Sequence, residues 1–297
     1  MSNTTGEGNM ELPMTERRGE ARIDTAIRTA SEGYHRGRTL RNRASMALQR
    51  KRREYDVGTV SEGTFDRVLD SHRTDTVFVH VGLRDISRAF ERDPYEFLLG
   101  RLDERFESVL NPGFTPAFRS VDGGVYHKRH SLPRFGAFSR LFLEDCEYRT
   151  DDPTNSILVR GPYRFDGCRH DDTWAADGCF AKLDRENVQY LNVGTDWLRS
   201  SHIHYLENRL NVPYIETVEY EGVLYREDET AERITHRSHE YTMEVTWNRA
   251  KIQDDLERAG VLDSYDLNGL QVFAFRARDI RQVLTPKILA DPYYLVT

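Results

Sequence analysis

The sequence has only three cysteines, Cys146, Cys168 and Cys179, and no Cys-x-x-Cys pair. An odd and small number of cysteines argues against a disulfide framework and a thiolate zinc site, and it is typical of a reducing compartment. The absence of any run of about 18 apolar residues argues against a membrane-spanning helix. Residues 1–20 are polar and lack the hydrophobic region of a secretion signal. We therefore expect a cytoplasmic protein without a membrane partner.

Lysine is also scarce, since the chain has 5 lysines against 37 arginines. This bias is typical of a high-GC genome or a salt-adapted host. The charges are unevenly spread: residues 1–56 contain 12 Lys/Arg and 8 Asp/Glu, whereas residues 57–297 contain 30 and 41. An acidic body suits a polycationic substrate, because opposite charges raise the rate of association.

The N-terminal region is predicted to be separate from the body. Residues 1–14 are polar and predicted to be disordered, and residues 15–59 to form a basic helical extension. Its run Gln49-Arg50-Lys51-Arg52-Arg53 could contact nucleic acid or pack as a solvated helix on the body or a second subunit. No aromatic residues interleave with these arginines, so we do not expect a nucleic-acid partner. The N-terminal helices could instead contribute to a homo-oligomer.

Residues 60–297 are predicted to form one α/β domain. Apolar, β-branched segments at 75–80, 157–159, 188–193 and 272–275 indicate buried strands. Helices are predicted between them, one of them capped by Asp93 with Pro94 in its first turn. Residues 215–226 are predicted to form a hairpin that turns at Glu221-Gly222, with further β structure at 241–247. This alternation favours a three-layer α/β/α fold with a central mixed sheet, plus the helical N-terminal extension.

The most informative motif is Arg149-Thr150-Asp151-Asp152-Pro153-Thr154-Asn155-Ser156. It resembles the Arg-Ser-x-His-Pro-Thr-His-Ser segment of the aminoglycoside 3-N-acetyltransferase family. The frame is kept, but Asp152 and Asn155 stand where the family has its two histidines.

Further segments resemble the same family in the same order over about three quarters of the chain. His80-Val81-Gly82-Leu83 resembles His-Ser-Ser-Leu, and Ser201 to Glu207 resembles Thr-Ser-Leu-His-x-x-Glu. His170 is placed like a family histidine that precedes a Gly-x-Gly-Ser-Pro-x-x-Lys-Leu run. Only Lys182-Leu183 remains of that run. The chain is thus identified as a divergent family member.

The resemblance implies acetyl transfer from acetyl-coenzyme A to an amine of an aminosugar, an aminoglycoside-like compound or a related metabolite. It implies that Asp152, His204 and Glu207 handle protons, and that coenzyme binding involves His80, Gly82, Leu83 and Ser201. His204 and Glu207 are three residues apart on a predicted helix and so share a face. They could equally be a structural pair, and Gly82 could be an ordinary turn glycine.

The departures from the family suggest an altered acceptor or lost catalysis. Aspartate is a weak base at neutral pH unless it is buried, and Asn155 cannot accept a proton from an ammonium. Arg140 replaces a family glutamate and suits an anion, although it could instead form a structural ion pair with Asp152. We expect acceptor contacts from Arg140, Asn155, Ser156 and His170. The alternative is a degenerate relative that binds acyl-coenzyme A or a sugar, or acts as a non-enzymatic subunit.

Histidine spacing raises the question of a metal. His127 with His130, His202 and His204 with Glu207, and His236 with His239 all have ligand-like spacing. None of these matches a known metal motif, and His236 and His239 lie in a charged segment that predicts exposure. We therefore expect no metal. A catalytic thiol at Cys168 beside His170 is disfavoured in the same way.

Overall fold

The structure is a computed structural model that describes residues 57–116, 118–119 and 123–297. The predicted disordered segment, basic run and helical extension at residues 1–56 lie outside the described residues. Eight helices lie in the described part: α1 Glu62–Ser71, α2 Leu83–Ala89, α3 Pro94–Asp103, α4 Ala137–Asp145, α5 Cys179–Arg185, α6 Ser201–Arg209, α7 Arg249–Arg258 and α8 Ala277–Ala290. None of them is long and apolar enough to cross a membrane.

Ten strands form two sheets within the same described ranges. They are β1 Thr76–Val81, β2 Ser108–Pro112, β3 Gly124–His127, β4 Tyr148–Arg149, β5 Ile157–Arg160, β6 Gln189–Val193, β7 Ile215–Tyr225, β8 Ala231–Tyr241, β9 Leu262–Leu267 and β10 Leu270–Arg276. Seven strands form the main sheet in the order β4-β5-β2-β1-β6-β10-β9, and β3-β7-β8 form the second. β1 runs parallel to β2 and β6, whereas β5 and β10 run antiparallel to their neighbours, so the predicted mixed sheet is confirmed.

Side chains alternate between the two faces along each strand, and the central strands of the main sheet contribute to an apolar core on each face. On β1, Val77 and Val79 join the apolar core under α1–α4, whereas Phe78 joins the core under α5–α8. Helices therefore cover both faces, which confirms the three-layer α/β/α class. Asp93 caps α3 by accepting hydrogen bonds from the backbone N–H of Tyr95 and Glu96, with Pro94 in the first turn, as the sequence predicts.

The predicted hairpin turn at Glu221-Gly222 is wrong. β7 continues through both residues, and the chain turns later, where the Arg226 N–H donates to the Thr230 carbonyl at 2.9 Å. Gly222 pairs with Gly124 of β3, and a Cβ on Gly222 would lie 2.3 Å from the Gly124 carbonyl oxygen. The glycine thus permits close packing of a neighbouring strand. The β structure predicted at 241–247 is also wrong, since β8 ends at Tyr241.

Candidate active site

A cavity of about 610 Å³ lies where the parallel strands β1 and β6 end. Gly82 follows β1 and Gly194 follows β6, and the Gly82 N–H donates to the Val193 carbonyl at 2.9 Å. A Cβ on Gly82 would lie 2.1 Å from the Gly194 carbonyl oxygen. Close contact of these two turns therefore requires glycine at position 82. Ligand sites in α/β proteins commonly lie at this edge of a sheet, and the volume is in the range of small-molecule sites.

The cavity wall is rich in positive charge. Five arginines line it against two aspartates: Arg84, Arg88, Arg134, Arg199 and Arg249, with Asp85 and Asp196. The sequence interpretation missed the arginines, although Arg84 and Arg88 are four apart on α2, directly after the glycine turn, and so share a face. Guanidinium groups suit phosphate and carboxylate ligands, so this donor set can hold a polyanion.

His80 and Ser201, two residues predicted to bind the coenzyme, both line this cavity. Their side chains are in contact, with 3.4 Å between the Ser201 Oγ and the His80 Nε2. Burial, together with Arg199 and His204, lowers the pKa of His80 to about 3. The ring is therefore neutral at physiological pH and can donate one hydrogen bond and accept another. Leu83, in contrast, packs against the apolar core under α1–α4 and is not among the lining residues.

His204 lines the cavity and pairs with Glu207, which is buried and is not itself a lining residue. The His204 Nδ1 lies 2.9 Å from the Glu207 Oε2, and the Tyr241 hydroxyl donates to the same carboxylate oxygen at 3.1 Å. Glu207 is buried, whereas 30% of the His204 side chain is exposed. Burial raises the pKa of Tyr241, and Glu207 adds to that shift, so this phenol stays protonated as a donor. With Nδ1–H held by a carboxylate, Nε2 is the ring nitrogen left to accept a proton.

Aromatic rings surround this pair. Trp247 makes an edge contact with the His204 ring at a centroid distance of 5.2 Å, and it also lines the cavity. Trp174 stacks on His239 at 5.0 Å, and His239 in turn lies 5.9 Å from His204. Burial, together with His204 and Arg119, lowers the pKa of His239 to about 3. The rings restrict the rotation of His204 and hold it against Glu207.

The next helical histidine, His202, belongs to the structural frame. It is fully buried, and its Nε2 lies 2.9 Å from the Asp184 Oδ1. Arg281 donates to the same carboxylate at 2.9 Å. Although burial opposes ionisation, His202 and Arg281 lower the pKa of Asp184. This network ties α6 to α5 and α8, and it fixes the helix that carries His204 and Glu207.

Asp152 lies in a separate buried cluster and is not among the residues that line the cavity. Its Oδ1 accepts hydrogen bonds from the backbone N–H groups of Thr154 and Asn155, at 2.8 and 2.7 Å. The Nε2 of His236 lies 3.3 Å from the same oxygen. The carboxylate therefore organises the turn at 152–155. The structure brings His80 and His204 together at one cavity, and it does not bring Asp152 there.

The four residues predicted to bind the acceptor are also absent from that wall. The Asn155 Oδ1 accepts from Arg119 at 3.2 Å, and the Ser156 hydroxyl donates to the Gly113 carbonyl at 2.7 Å. The His170 Nδ1 lies 3.5 Å from the Cys179 Sγ. Arg140 is exposed on α4 and donates to the Pro133 carbonyl. Asp152 contacts His236, and Arg140 donates to a backbone carbonyl. The alternative of an Asp152–Arg140 ion pair is therefore wrong among the described residues.

The prediction that His236 and His239 are exposed is wrong. Both are buried. Their segment is charged because β8 alternates: Thr235 and Arg237 face solvent, whereas His236 and Ser238 face inward. His236 lies 3.0 Å from the hydroxyls of Thr154 and Thr173.

Two clusters among the described residues have the composition of a metal site. Ligand atoms of His204, Glu207 and His239 lie within 4.8 Å of one another, and so do those of the more exposed group His127, His130 and Glu229. The prediction that the protein binds no metal stays a prediction.

In the motif at 149–156, Arg149 holds several chain segments together through its hydrogen bonds, and we call this set of contacts the Arg149 clamp. Its buried guanidinium donates to the Ser156 hydroxyl at 3.0 Å and to the Gly113 carbonyl at 2.6 Å. It also donates to two carbonyls of the segment 128–131, at 3.0 and 2.7 Å. One side chain on β4 thus joins the residue before β5 to the segments that follow β2 and β3. The arginine and serine positions of the motif are therefore explained by folding.

We expect Arg149→Met to lower the free energy of unfolding by about 2–3 kcal/mol, because buried carbonyls lose charge-assisted donors. Arg140→Met is the matched control, since that arginine is exposed, and it should change stability by less than about 0.5 kcal/mol. Urea denaturation followed by circular dichroism measures both. Equal midpoints for the two variants would contradict the clamp.

The sequence was also compared with models of known protein families. The family described as aminoglycoside 3-N-acetyltransferase matches residues 115–288, more than half of the chain. A comparison with curated proteins finds no match. The matched range includes His204 and Glu207, whereas His80 and Gly82 precede it.

Solved structures share the fold at low identity. Aminoglycoside acetyltransferase AAC(3)-Xa superposes with a TM-score of 0.62 and 16% identity, over 85% of this chain and 99% of that one. AAC-VIa bound to sisomicin gives a TM-score of 0.58 and 17% identity, over 75% and 94%. The YokD protein from Bacillus subtilis gives 0.57 and 13%, over 76% and 96%. The family resemblance inferred from the motifs is confirmed: the chain belongs to the aminoglycoside 3-N-acetyltransferase family.

Proposed function

We propose that this chain transfers an acetyl group from acetyl-coenzyme A to an amino group of an aminosugar or aminoglycoside-like compound. The observation that carries the proposal is that His204, paired with the buried Glu207, lines an arginine-rich cavity. Family membership supplies the reaction class, and the cavity supplies a place where this chain could perform it.

The cavity residues fit the chemistry of the coenzyme. Its phosphates are anions, and the five lining arginines offer planar, charged donors to them. Arg84 and Arg88 follow the Gly82 turn. Gly82 packs closely on Gly194, and neither residue has a side chain that would occupy the cavity at this point. When bound, acetyl-coenzyme A would supply a thioester whose carbonyl carbon accepts the amine.

The acceptor side requires a base, because an alkyl ammonium cannot attack until it loses a proton. His204 can accept that proton at Nε2, since Nδ1 is occupied by Glu207. Glu207 then stabilises the imidazolium that forms, as an acid residue does behind a catalytic histidine. The neutral His80 ring and the Ser201 hydroxyl are donors that could hold developing negative charge on a carbonyl oxygen. Asp152 acts in this proposal by holding the 152–155 turn.

Binding and turnover can be tested separately on the full chain. We expect isothermal titration calorimetry to show acetyl-coenzyme A binding that weakens as salt rises, because the contacts are ionic. Arg84→Gln combined with Arg88→Gln should weaken binding about 10-fold, or about 1.4 kcal/mol. Arg233→Gln, an exposed change outside the cavity, is the control and should have no effect.

Release of free coenzyme thiol with a panel of amines, including sisomicin, measures turnover. Binding with turnover on an amine supports the proposal. Binding without turnover on any amine supports the alternative of a degenerate relative that binds acyl-coenzyme A. Absence of binding overturns both.

A further inference from the structure

His204 and two buried side chains near it have the composition of a zinc site. His204 and Glu207 are one turn apart on α6, and His239 comes from β8. One potential ligand atom of each residue lies within 4.8 Å of those of the other two. Two histidines and a glutamate with an open fourth position are one of the ligand sets that bind Zn²⁺ in enzymes. Two separate elements of the fold thus bring these ligands together.

Burial distinguishes this group from an ordinary surface cluster. The Glu207 side chain has no exposed surface, and His239 is 6% exposed. The Nδ1 of His239 is buried and makes no hydrogen bond among the described residues. Trp174 stacks on the His239 ring at 5.0 Å and so fixes its orientation. A buried polar atom without a partner has a free-energy cost, and coordination to an ion would remove that cost.

The spacing of His204 and Glu207 suits an ion between them. The His204 Nδ1 lies 2.9 Å from the Glu207 Oε2. Zinc binds such atoms at about 2.0–2.2 Å, so the two would need to separate by only about 0.4 Å. The Tyr241 hydroxyl donates to the same carboxylate oxygen at 3.1 Å and would orient it from outside, as partners of metal ligands do. Since His204 lines the cavity, an ion can enter from there.

The donor set also selects the ion. Imidazole and carboxylate together suit Zn²⁺, whereas Mg²⁺ and Ca²⁺ prefer oxygen ligands alone. Arg119 is a positive charge that acts on His239 and opposes any cation. Its guanidinium, however, donates to the Asn155 Oδ1 at 3.2 Å, so it is partly occupied there. We therefore expect reversible binding of zinc.

We propose that His204, Glu207 and His239 bind Zn²⁺ and that the bound ion inhibits acetyl transfer. The binding does not depend on any catalytic role of this chain, whereas the inhibition rests on the proposed function. The sequence predicts no metal from its histidine spacing, and the binding experiment decides between that prediction and this proposal.

Inhibition follows from the position of one proton. A neutral imidazole carries a single ring proton. When Nδ1 of His204 binds the ion, that proton must lie on Nε2. Nε2 is the nitrogen that accepts the proton of the amine in the proposed mechanism, so the base is no longer available. The ion also neutralises the Glu207 carboxylate, which would otherwise stabilise the imidazolium.

A second cluster provides a comparison within the same chain. His127, His130 and Glu229 also bring ligand atoms within 4.8 Å of one another. His130 and Glu229 are exposed, however, and the His127 Nδ1 already accepts from the Arg129 N–H at 3.2 Å. Water satisfies exposed groups, so an ion gains less there. This group should bind Zn²⁺ more weakly than the buried one.

Calorimetric titration of the untagged, metal-free full chain with Zn²⁺ tests the binding. Titration with Co²⁺, followed by visible absorption, reports the coordination number at the same site. We expect one tight Zn²⁺ per chain that excess Mg²⁺ does not displace. His239→Phe keeps a ring against Trp174 but has no ligand atom. It should raise Kd at least about 100-fold, because loss of even an outer partner of a ligand costs about 10- to 100-fold.

His130→Gln is the matched control, because it removes a ligand of the exposed cluster only, and its Kd should equal that of the wild type. Circular dichroism checks that each variant folds, and Glu207→Gln replaces His239→Phe if that variant does not. Unchanged Kd in the variant of the buried group, or loss of tight binding in His130→Gln, would overturn the site. Absence of tight Zn²⁺ binding to the wild type would overturn it as well.

The inhibition is measured as formation of the acetylated amine by mass spectrometry, because the released thiol itself binds Zn²⁺. The wild-type rate should fall as Zn²⁺ approaches its Kd and recover with a chelator. His239→Phe should require about 100-fold more Zn²⁺ for the same fractional loss of its own metal-free rate. Full activity with the ion bound would refute the inhibition. Absence of transfer by the metal-free chain would refute the proposed function and the inhibition with it, whereas the zinc site would still stand or fall on the measured Kd.

Discussion

His204→Gln should lower kcat for acetyl transfer by about 10²- to 10⁴-fold, the usual contribution of a positioned general base. The affinity for acetyl-coenzyme A should stay within about 2-fold, because binding in the proposal depends on the arginines and the glycine turn. Glutamine keeps a polar side chain of similar reach but cannot accept a proton. The measurements are steady-state release of coenzyme thiol and calorimetric titration.

Glu207→Gln should also lower kcat, by a smaller factor. The amide can still contact the His204 Nδ1 at the present 2.9 Å, but it carries no charge to stabilise the imidazolium. His127→Gln is the control, since His127 contacts Glu229 and is not among the residues that line the cavity. It should leave kcat unchanged.

The same experiment separates the two predicted proton-handling sites. Asp152→Asn keeps an acceptor for the backbone N–H groups of Thr154 and Asn155. It should therefore change kcat less than His204→Gln does. A larger loss with Asp152→Asn, together with full activity of His204→Gln, would assign the base to Asp152 and refute the assignment to His204.

The sequence predicts those helices and strands whose position follows from local features such as apolar runs and capping residues. β1 centres on the apolar run Val77-Phe78-Val79, and α3 has a capping aspartate followed by proline, so local chemistry specifies both elements. Gly222 shows where this reasoning stops. A glycine after a glutamate suggests a turn, but its role here is to admit a strand from residues 124–127, almost 100 positions earlier. No local pattern reports such a contact.

The sequence predicts only part of the candidate site, because several of its contacts come from residues far apart in the chain. Helical spacing predicts that His204 and Glu207 share a face, and the structure places them 2.9 Å apart. The motif at 149–156 predicts a proton-handling role for Asp152, but the position of a residue in a motif does not tell which way its side chain points. Asp152 turns back onto its own backbone. Tyr241 and Trp247 reach His204 from other elements, and sequence spacing gives no sign of them.

Gly82→Ala should both destabilise the protein and abolish coenzyme binding. A Cβ at this position would lie 2.1 Å from the Gly194 carbonyl oxygen and 2.9 Å from its carbonyl carbon. Both neighbours are backbone atoms, which cannot rotate away as a side chain can. We expect the free energy of unfolding to fall by about 3 kcal/mol or more, at the upper end of overpacking effects. Urea denaturation measures this loss.

Alanine at position 82 is unfavourable because the turns at Gly82 and Gly194 are close together, and not because of the backbone dihedral angles of Gly82. Gly82 has φ of −109°, which any residue adopts, whereas Gly194 has φ of +68°, in the left-handed region. Alanine at 82 must therefore push the two turns apart. That movement shifts the start of α2, which carries Arg84 and Arg88, so the cavity loses its cationic wall.

Gly100→Ala is the matched control, because a Cβ there meets nothing within 4 Å and the residue lies inside α3. It should stabilise the protein by up to about 1 kcal/mol through helix propensity, and binding should not change. If Gly82→Ala instead unfolds at the wild-type urea midpoint and binds acetyl-coenzyme A normally, the β1 and β6 turns can separate without cost. The coenzyme would then have to bind elsewhere, since a site formed by their contact could not survive that separation.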